Sequence, residues 1–141
     1  MDLRSRIAGH VWTLWPSRRQ RILPVSAPES IPWSAPARSD IGEIRLSGRW
    51  RGEPSTVAVV VIHGLGGSHE RPYCLRAAQA VQAHGWSSLR LALRGADGRS
   101  RDFYHAGLTE DIDATLASPV LADYERIVLL GYSLGGHIAL R

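Results

Sequence analysis

A serine hydroxyl is a poor nucleophile until a base takes its proton, so a reactive serine needs a backbone that presents it. Ser133 has such a setting. It lies in Gly131-Tyr132-Ser133-Leu134-Gly135, a Gly-x-Ser-x-Gly pattern. The apolar run Ile127-Val128-Leu129-Leu130 precedes it, and Gly136-His137-Ile138-Ala139-Leu140-Arg141 follows. A strand entering and a helix leaving this pattern make a turn so tight that the serine is thrust out of the backbone. Glycine is suited to positions 131 and 135, where side chains would collide with the neighbouring strand and helix. The chemistry implied is attack on a carbonyl carbon. That attack creates an oxyanion, which needs preorganised donors. In such a turn one donor is the amide after the serine, here that of Leu134.

A second glycine-rich turn supplies a candidate for the other donor. His63-Gly64-Leu65-Gly66-Gly67 follows the β-branched and apolar run Thr56–Ile62. By position it is the loop that contributes the second amide, and the Leu65 N–H is the candidate. Gly64 and Gly66 let the backbone approach a substrate closely, and His63 reads as a brace for the loop rather than a proton carrier. In a chain this rich in glycine the five-residue serine pattern alone carries little weight. The two turns together, each after a strand-like run, carry much more. A dinucleotide-binding turn does not fit, because His69 stands where Gly-x-Gly-x-x-Gly needs its last glycine. A phosphate-binding loop fails for want of Gly-Lys-Ser/Thr. His105 reads as a packing or hydrogen-bonding residue before a helix, and His137 as one that packs or faces solvent. No two histidines have metal-ligand spacing with a carboxylate, so neither metal nor cofactor is expected.

The elements that must hold these turns can be taken in order. Ile7, Val11, Leu14 and Trp15 share one helical face, with arginines around them. A membrane-surface helix through Trp12 and Trp15 is one reading. An arm docked on its own domain is preferred, because Pro16 cuts the pattern short. Residues 24–40, with Pro24, Pro28, Pro32 and Pro36, read as an irregular linker. Glu43–Trp50 alternates as a half-buried strand near a sheet edge, and Arg51–Pro54 as a turn. Thr56–Ile62 suits a parallel strand covered on both faces. Pro72–His84 reads as a helix with Cys74, Ala77, Ala78 and Val81 on one face and Gly85 at its end. Ser87–Leu93 is a further strand, Leu108–Ser118 a helix closed by Pro119, and Arg126–Leu130 the strand feeding Ser133. Alternating strands and helices at short spacing imply a parallel α/β sheet with right-handed crossovers. The organisation expected is an arm and linker over 1–40 and the sheet domain over 41–141.

Bulk properties narrow the setting. The chain has 141 residues, a net charge of +4 and no lysine. Its arginines are interspersed with acidic residues, so no nucleic-acid partner is expected. Cys74 is the only cysteine, which rules out an internal disulfide within this sequence. No apolar run reaches the roughly 18 residues of a membrane span. A cytoplasmic protein, at most peripheral to membrane, is the default.

These residues resemble the YheT-like branch of the α/β-hydrolases, which includes bacterial esterases and related animal lipid hydrolases. Gly9-His10-Val11-Trp12-Thr13-Leu14-Trp15-Pro16 is similar to that branch's N-terminal signature. His63–Gly67 with Arg71-Pro72-Tyr73 is similar to its oxyanion loop and next helix. Arg94-Gly95, Tyr104-His105-Ala106-Gly107 and Glu110-Asp111 resemble its middle motif, and Gly131–Gly136 its nucleophile elbow. Trp12 and Ala96 depart from it, where glutamine and cysteine are usual. The resemblance implies an α/β-hydrolase fold, mostly parallel and flanked by helices. It implies hydrolysis of carboxylic esters with short, medium or lipid-like acyl groups, through an acyl-enzyme on Ser133.

In that fold the catalytic acid and histidine follow the serine in the chain. No acidic residue follows Ser133 here, and His137 is too close along the helix to serve. The expectation is therefore the N-terminal part of a hydrolase, truncated after the elbow and with little turnover by itself. Its last strand would be an open apolar edge, apt to pair with a partner or a second copy. A non-enzymatic fragment acting through that edge, and an acyltransferase using the same serine, are the alternatives.

Overall fold

The computed structural model describes residues 25–141. The N-terminal signature, the helix-like face and Trp12 and Trp15 lie outside the described residues. Within them a five-stranded sheet runs in the order β1-β2-β4-β3-β5. The strands are β1 (Ile31–Ser39), β2 (Gly42–Arg51), β3 (Val57–Ile62), β4 (Ser87–Ala92) and β5 (Arg126–Gly131). The helices are α1 (Pro72–Ala83), α2 (Glu110–Leu116) and α3 (Leu134–Ala139), with a single 3-10 turn at Pro119–Leu121. β4, β3 and β5 are parallel, while β2 runs antiparallel to both β1 and β4.

β3 is the central strand because its sequence is apolar on both sides. Val59 and Val61 pack with Cys74, Ala77 and Val81 of α1. Ala58, Val60 and Ile62 face the other way, into a larger core with Leu89, Leu91, Leu93, Ile112, Leu121 and Ile138. Helix α1 therefore covers one face, and α2, the 3-10 turn and α3 the other. Proline opens α1 at its first position, where its missing N–H costs nothing. Gly85 ends the connection at φ +69°, a conformation that side chains resist.

Two expectations are corrected. Residues 24–40 are not irregular throughout, since Ile31–Ser39 forms the full-length strand β1. Trp33, Ala35 and Ala37 point into the core, while Pro32, Ser34 and Pro36 point out. Both prolines sit on an edge strand, where an absent N–H deprives no further neighbour. Trp33 fixes the strand by donating its indole N–H to Ser118 Oγ at 2.9 Å. The helix expected over Leu108–Ser118 is shorter, Glu110–Leu116. Leu108 and Ile112 are buried, but Leu116, on the same apolar side, is exposed, and Asp111 and Thr115 take the inner positions.

Candidate active site

The Arg126–Gly131 strand delivers the chain to a turn in which the serine is held in a strained conformation. Ser133 has φ +52° and ψ −118°, the sole positive φ at a non-glycine among the described residues. Such a conformation costs about 1–3 kcal/mol and persists only where its surroundings dictate it. Those surroundings are backbone. The Tyr132 N–H donates to Ile62 O at 3.0 Å, which ties the turn to the end of β3. The Gly135 N–H donates to Tyr132 O at 2.9 Å, and the His137 N–H to Ser133 O at 3.1 Å, which start α3. A Cβ on Gly135 would lie 2.5 Å from His63 O and 2.8 Å from Ile62 O. A Cβ on Gly131 would collide with the backbone of Gly135 and Gly136. Both glycines are thus required by the close pass of α3 over β3 and β5. The serine itself is exposed at the N-cap of α3.

The loop after β3 lies against this serine. A Cβ placed on Gly64 would be 3.2 Å from Ser133 Cβ and 3.8 Å from Ser133 Oγ. Gly64 is buried, while Leu65 is 77 % exposed. Three bonds fold the loop on itself: Gly67 N–H to Gly64 O at 3.0 Å, Arg71 guanidinium to Gly66 O at 2.8 Å, and His63 Nδ1 to Gly64 O at 2.8 Å. The Leu65 N–H has no acceptor among the described residues. The Leu134 N–H, first of its helix, has no acceptor inside that helix either.

His63 is fully buried, and both ring nitrogens are occupied. Nδ1–H donates to Gly64 O, and Nε2 accepts the Leu93 N–H at 3.2 Å. That pairing fixes the neutral Nδ1–H tautomer. Burial lowers its pKa, and the nearby Arg71 charge adds to this against the opposing Gly64 bond. It braces the loop and has no nitrogen left with which to take a proton. His105 is exposed and accepts the Gly107 N–H on Nδ1 at 3.2 Å. His137 is exposed one turn into α3. Ser133 Oγ has no hydrogen-bond partner among the described residues, and no group of three His, Cys, Asp or Glu there could hold a metal.

Sequence reasoning missed the side chains that hold the site from a distance. Tyr73, second residue of α1, accepts the Gly64 N–H on its hydroxyl at 3.2 Å. Tyr104 accepts the Gly66 N–H at 2.8 Å. The middle motif is an ionic clamp. Buried Arg94 donates from Nε and Nη2 to Asp111 Oδ1 at 2.9 and 2.7 Å, from Nη1 to Asp102 Oδ2 at 2.7 Å, and to Arg38 O at 2.9 Å. It joins the β1–β2 hairpin, the loop after β4 and helix α2. No helical or strand periodicity signals these contacts. Asp111 on the apolar side of its helix is the one local sign of them; the family resemblance named the segments but not these contacts.

A sheet with an exposed, strained serine at the end of one parallel strand, and a glycine loop from the next strand beside it, is the arrangement an α/β-hydrolase fold produces. The chain belongs to the alpha/beta hydrolase family, whose sequence profile matches residues 59–141. Within the family it is YheT-like. It is 37 % identical over 89 residues to an Escherichia coli protein described as "Putative esterase YheT", covering 57 % of this chain and 25 % of that protein. Solved structures agree on the fold. An α/β serine hydrolase without lid from Xanthomonas campestris matches with a TM-score of 0.66 at 24 % identity, over 84 % of this chain and 57 % of that one. An esterase from Pyrococcus furiosus matches with a TM-score of 0.62 at 19 % identity, over 84 % and 51 %. The chain thus spans about half the length of these structures and a quarter of the curated relative. None of the described helices is long and apolar enough to cross a membrane.

Proposed function

We propose that this chain carries the nucleophile half of a carboxylic-ester hydrolase that works through an acyl-enzyme. Ser133 Oγ attacks the ester carbonyl carbon. The N–H groups of Leu65 and Leu134 stabilise the oxyanion that forms, and collapse of that intermediate expels the alcohol and leaves the acyl group on Ser133. The substrate is an ester with a short, medium or lipid-like acyl group, as the likeness to an esterase suggests. The observation that carries this reading is the positive φ of Ser133. A serine held in a disfavoured conformation, exposed beside a free loop amide, is costly for a structural turn and useful for a nucleophile.

The base that activates Ser133 is not among the described residues, because no imidazole or carboxylate meets its Oγ. Without a base at Ser133 Oγ, turnover is expected to be low. Some residual rate over water is compatible with an intact oxyanion site. An alkyl fluorophosphonate tests both statements. Slow labelling that maps to Ser133 and disappears in Ser133→Ala is expected. Labelling elsewhere in a folded chain sinks the nucleophile assignment, and rapid labelling sinks the low-turnover claim.

The open edge of β5 favours a second reading. Among the described residues β5 pairs only with β3, and Val128 and Leu130 are each more than a third exposed. A further strand, from a partner or a second copy, completes the sheet in that reading. A monodisperse monomer in light scattering would count against the second copy.

A further inference from the structure

We propose that Tyr73 and Tyr104 are positioning residues that select the Leu65 amide as the oxyanion donor, an inference that rests on the ester-hydrolase reading above. The loop has a conformational problem. Leu65 sits between two glycines, whose own dihedrals are little restricted, so hydrogen bonds must hold its peptide units; Gly64 O, which accepts from the Gly67 N–H and His63 Nδ1–H, aligns the Gly64–Leu65 unit. Three consecutive N–H groups, those of Gly64, Leu65 and Gly66, could in turn face the serine. The bonds on Gly64 O orient the Leu65 N–H, and groups outside the loop keep its two neighbours from competing with it.

The two hydroxyls do this by occupation. Tyr73 Oη takes the Gly64 N–H and Tyr104 Oη takes the Gly66 N–H, at 3.2 and 2.8 Å. The Leu65 N–H alone is left over. Each tyrosine is itself held against the site. The Tyr73 ring packs on Tyr132, the residue before the serine, with centroids 4.7 Å apart. The Tyr104 ring meets His63 edge-on at 5.3 Å. Tyr73 therefore couples the loop to the elbow, and Tyr104 couples it to the histidine at the loop's root. Position 67 has to be glycine for this arrangement, since a Cβ there would lie 2.6 Å from Tyr73 Oη. Gly64 is buried and Gly66 exposed, so water can replace Tyr104 more readily than Tyr73.

Tyr73→Phe and Tyr104→Phe keep both rings and remove only the hydroxyls. Amide hydrogen exchange on the labelled chain, read by NMR, tests the occupation. Loss of one hydrogen bond speeds exchange about tenfold, so Gly64 should accelerate in Tyr73→Phe and Gly66, to a smaller extent, in Tyr104→Phe. Addition of butaneboronic acid, which forms a tetrahedral adduct on serine, tests the selection. The Leu65 amide resonance should shift in the wild-type chain and shift less in Tyr73→Phe. Unchanged exchange at Gly64 and Gly66 overturns the proposal whatever the boronate does. A Leu65 shift of equal size in all three proteins overturns the positioning role and leaves the oxyanion reading standing. No shift in the wild-type chain overturns the oxyanion reading, and the proposal falls with it.

Discussion

Replacing Ser133 by glycine should stabilise the fold, although glycine normally does the opposite. At φ +52° and ψ −118° the serine is well outside the favoured regions for a residue with a Cβ. Relief of that strain is worth about 1–3 kcal/mol. Glycine also gains freedom in the unfolded chain, which costs about 0.4–1 kcal/mol. The mid-range balance is a net gain of about 1 kcal/mol. Ser133→Ala is the informative control. It removes the same exposed hydroxyl but keeps the Cβ and therefore the strain, so it should stay within about 0.5 kcal/mol of the parent. The two variants differ only by one methyl group, and at an unstrained site glycine would be the less stable. Urea unfolding followed by the fluorescence of the buried Trp33 and Trp50 reads the difference. With a denaturant slope of about 1–3 kcal/mol per molar, the glycine midpoint should lie about 0.5 M above that of alanine. A glycine variant equal to or weaker than alanine would refute the claim that the turn stores strain, and with it the main argument for a nucleophile.

Three further outcomes are expected. Gly135→Ala should lose roughly 3 kcal/mol or more and any Ser133 labelling, because its Cβ would meet the backbone oxygens of His63 and Ile62, which cannot swing aside; thermal melts and probe labelling check this. Asp111→Ala should cost about 3–5 kcal/mol, since it leaves the buried Arg94 guanidinium short of its main partner, and calorimetry measures it. Stability should fall as the pH drops below about 6.5, because the unfolded chain then protonates His63 while the folded chain, with its lowered pKa, does not. His69 is lowered too, by burial, so urea midpoints at pH 7.5 and 5.5 should converge only partly in His63→Gln.

The parts legible in the sequence are those governed by local pattern. The unbroken run of Val57–Ile62 announces a strand covered on both faces, and it is the central strand. The Pro72 start and Gly85 stop bracket α1 closely. Gly131, Ser133 and Gly135 mark a turn whose geometry follows from the fit of helix on strand. What was not legible depends on partners far along the chain. Strand β1 was hidden because Pro32 and Pro36 are read as breakers, and only the position of that strand at the sheet edge makes them harmless. Tyr104 reaches Gly66 across 38 residues and Arg94 reaches Asp111 across 17. No periodicity within one element reports such pairs, although the family resemblance singled out the same segments.

The order of the strands has a consequence of its own. The chain leaves β3 toward α1 on one face of the sheet, and it leaves the adjacent β5 toward α3 on the other. Two neighbouring strands whose exits diverge leave a crevice between their carboxyl ends, whatever residues line it. The divergence of the chain past Ile62 and Gly131 is thus a product of its winding rather than of its chemistry. A chain with Ser133 replaced would lose the proposed nucleophile and keep the same winding. In the proposed hydrolase, the winding of the chain and the identity of one side chain are therefore separable contributions.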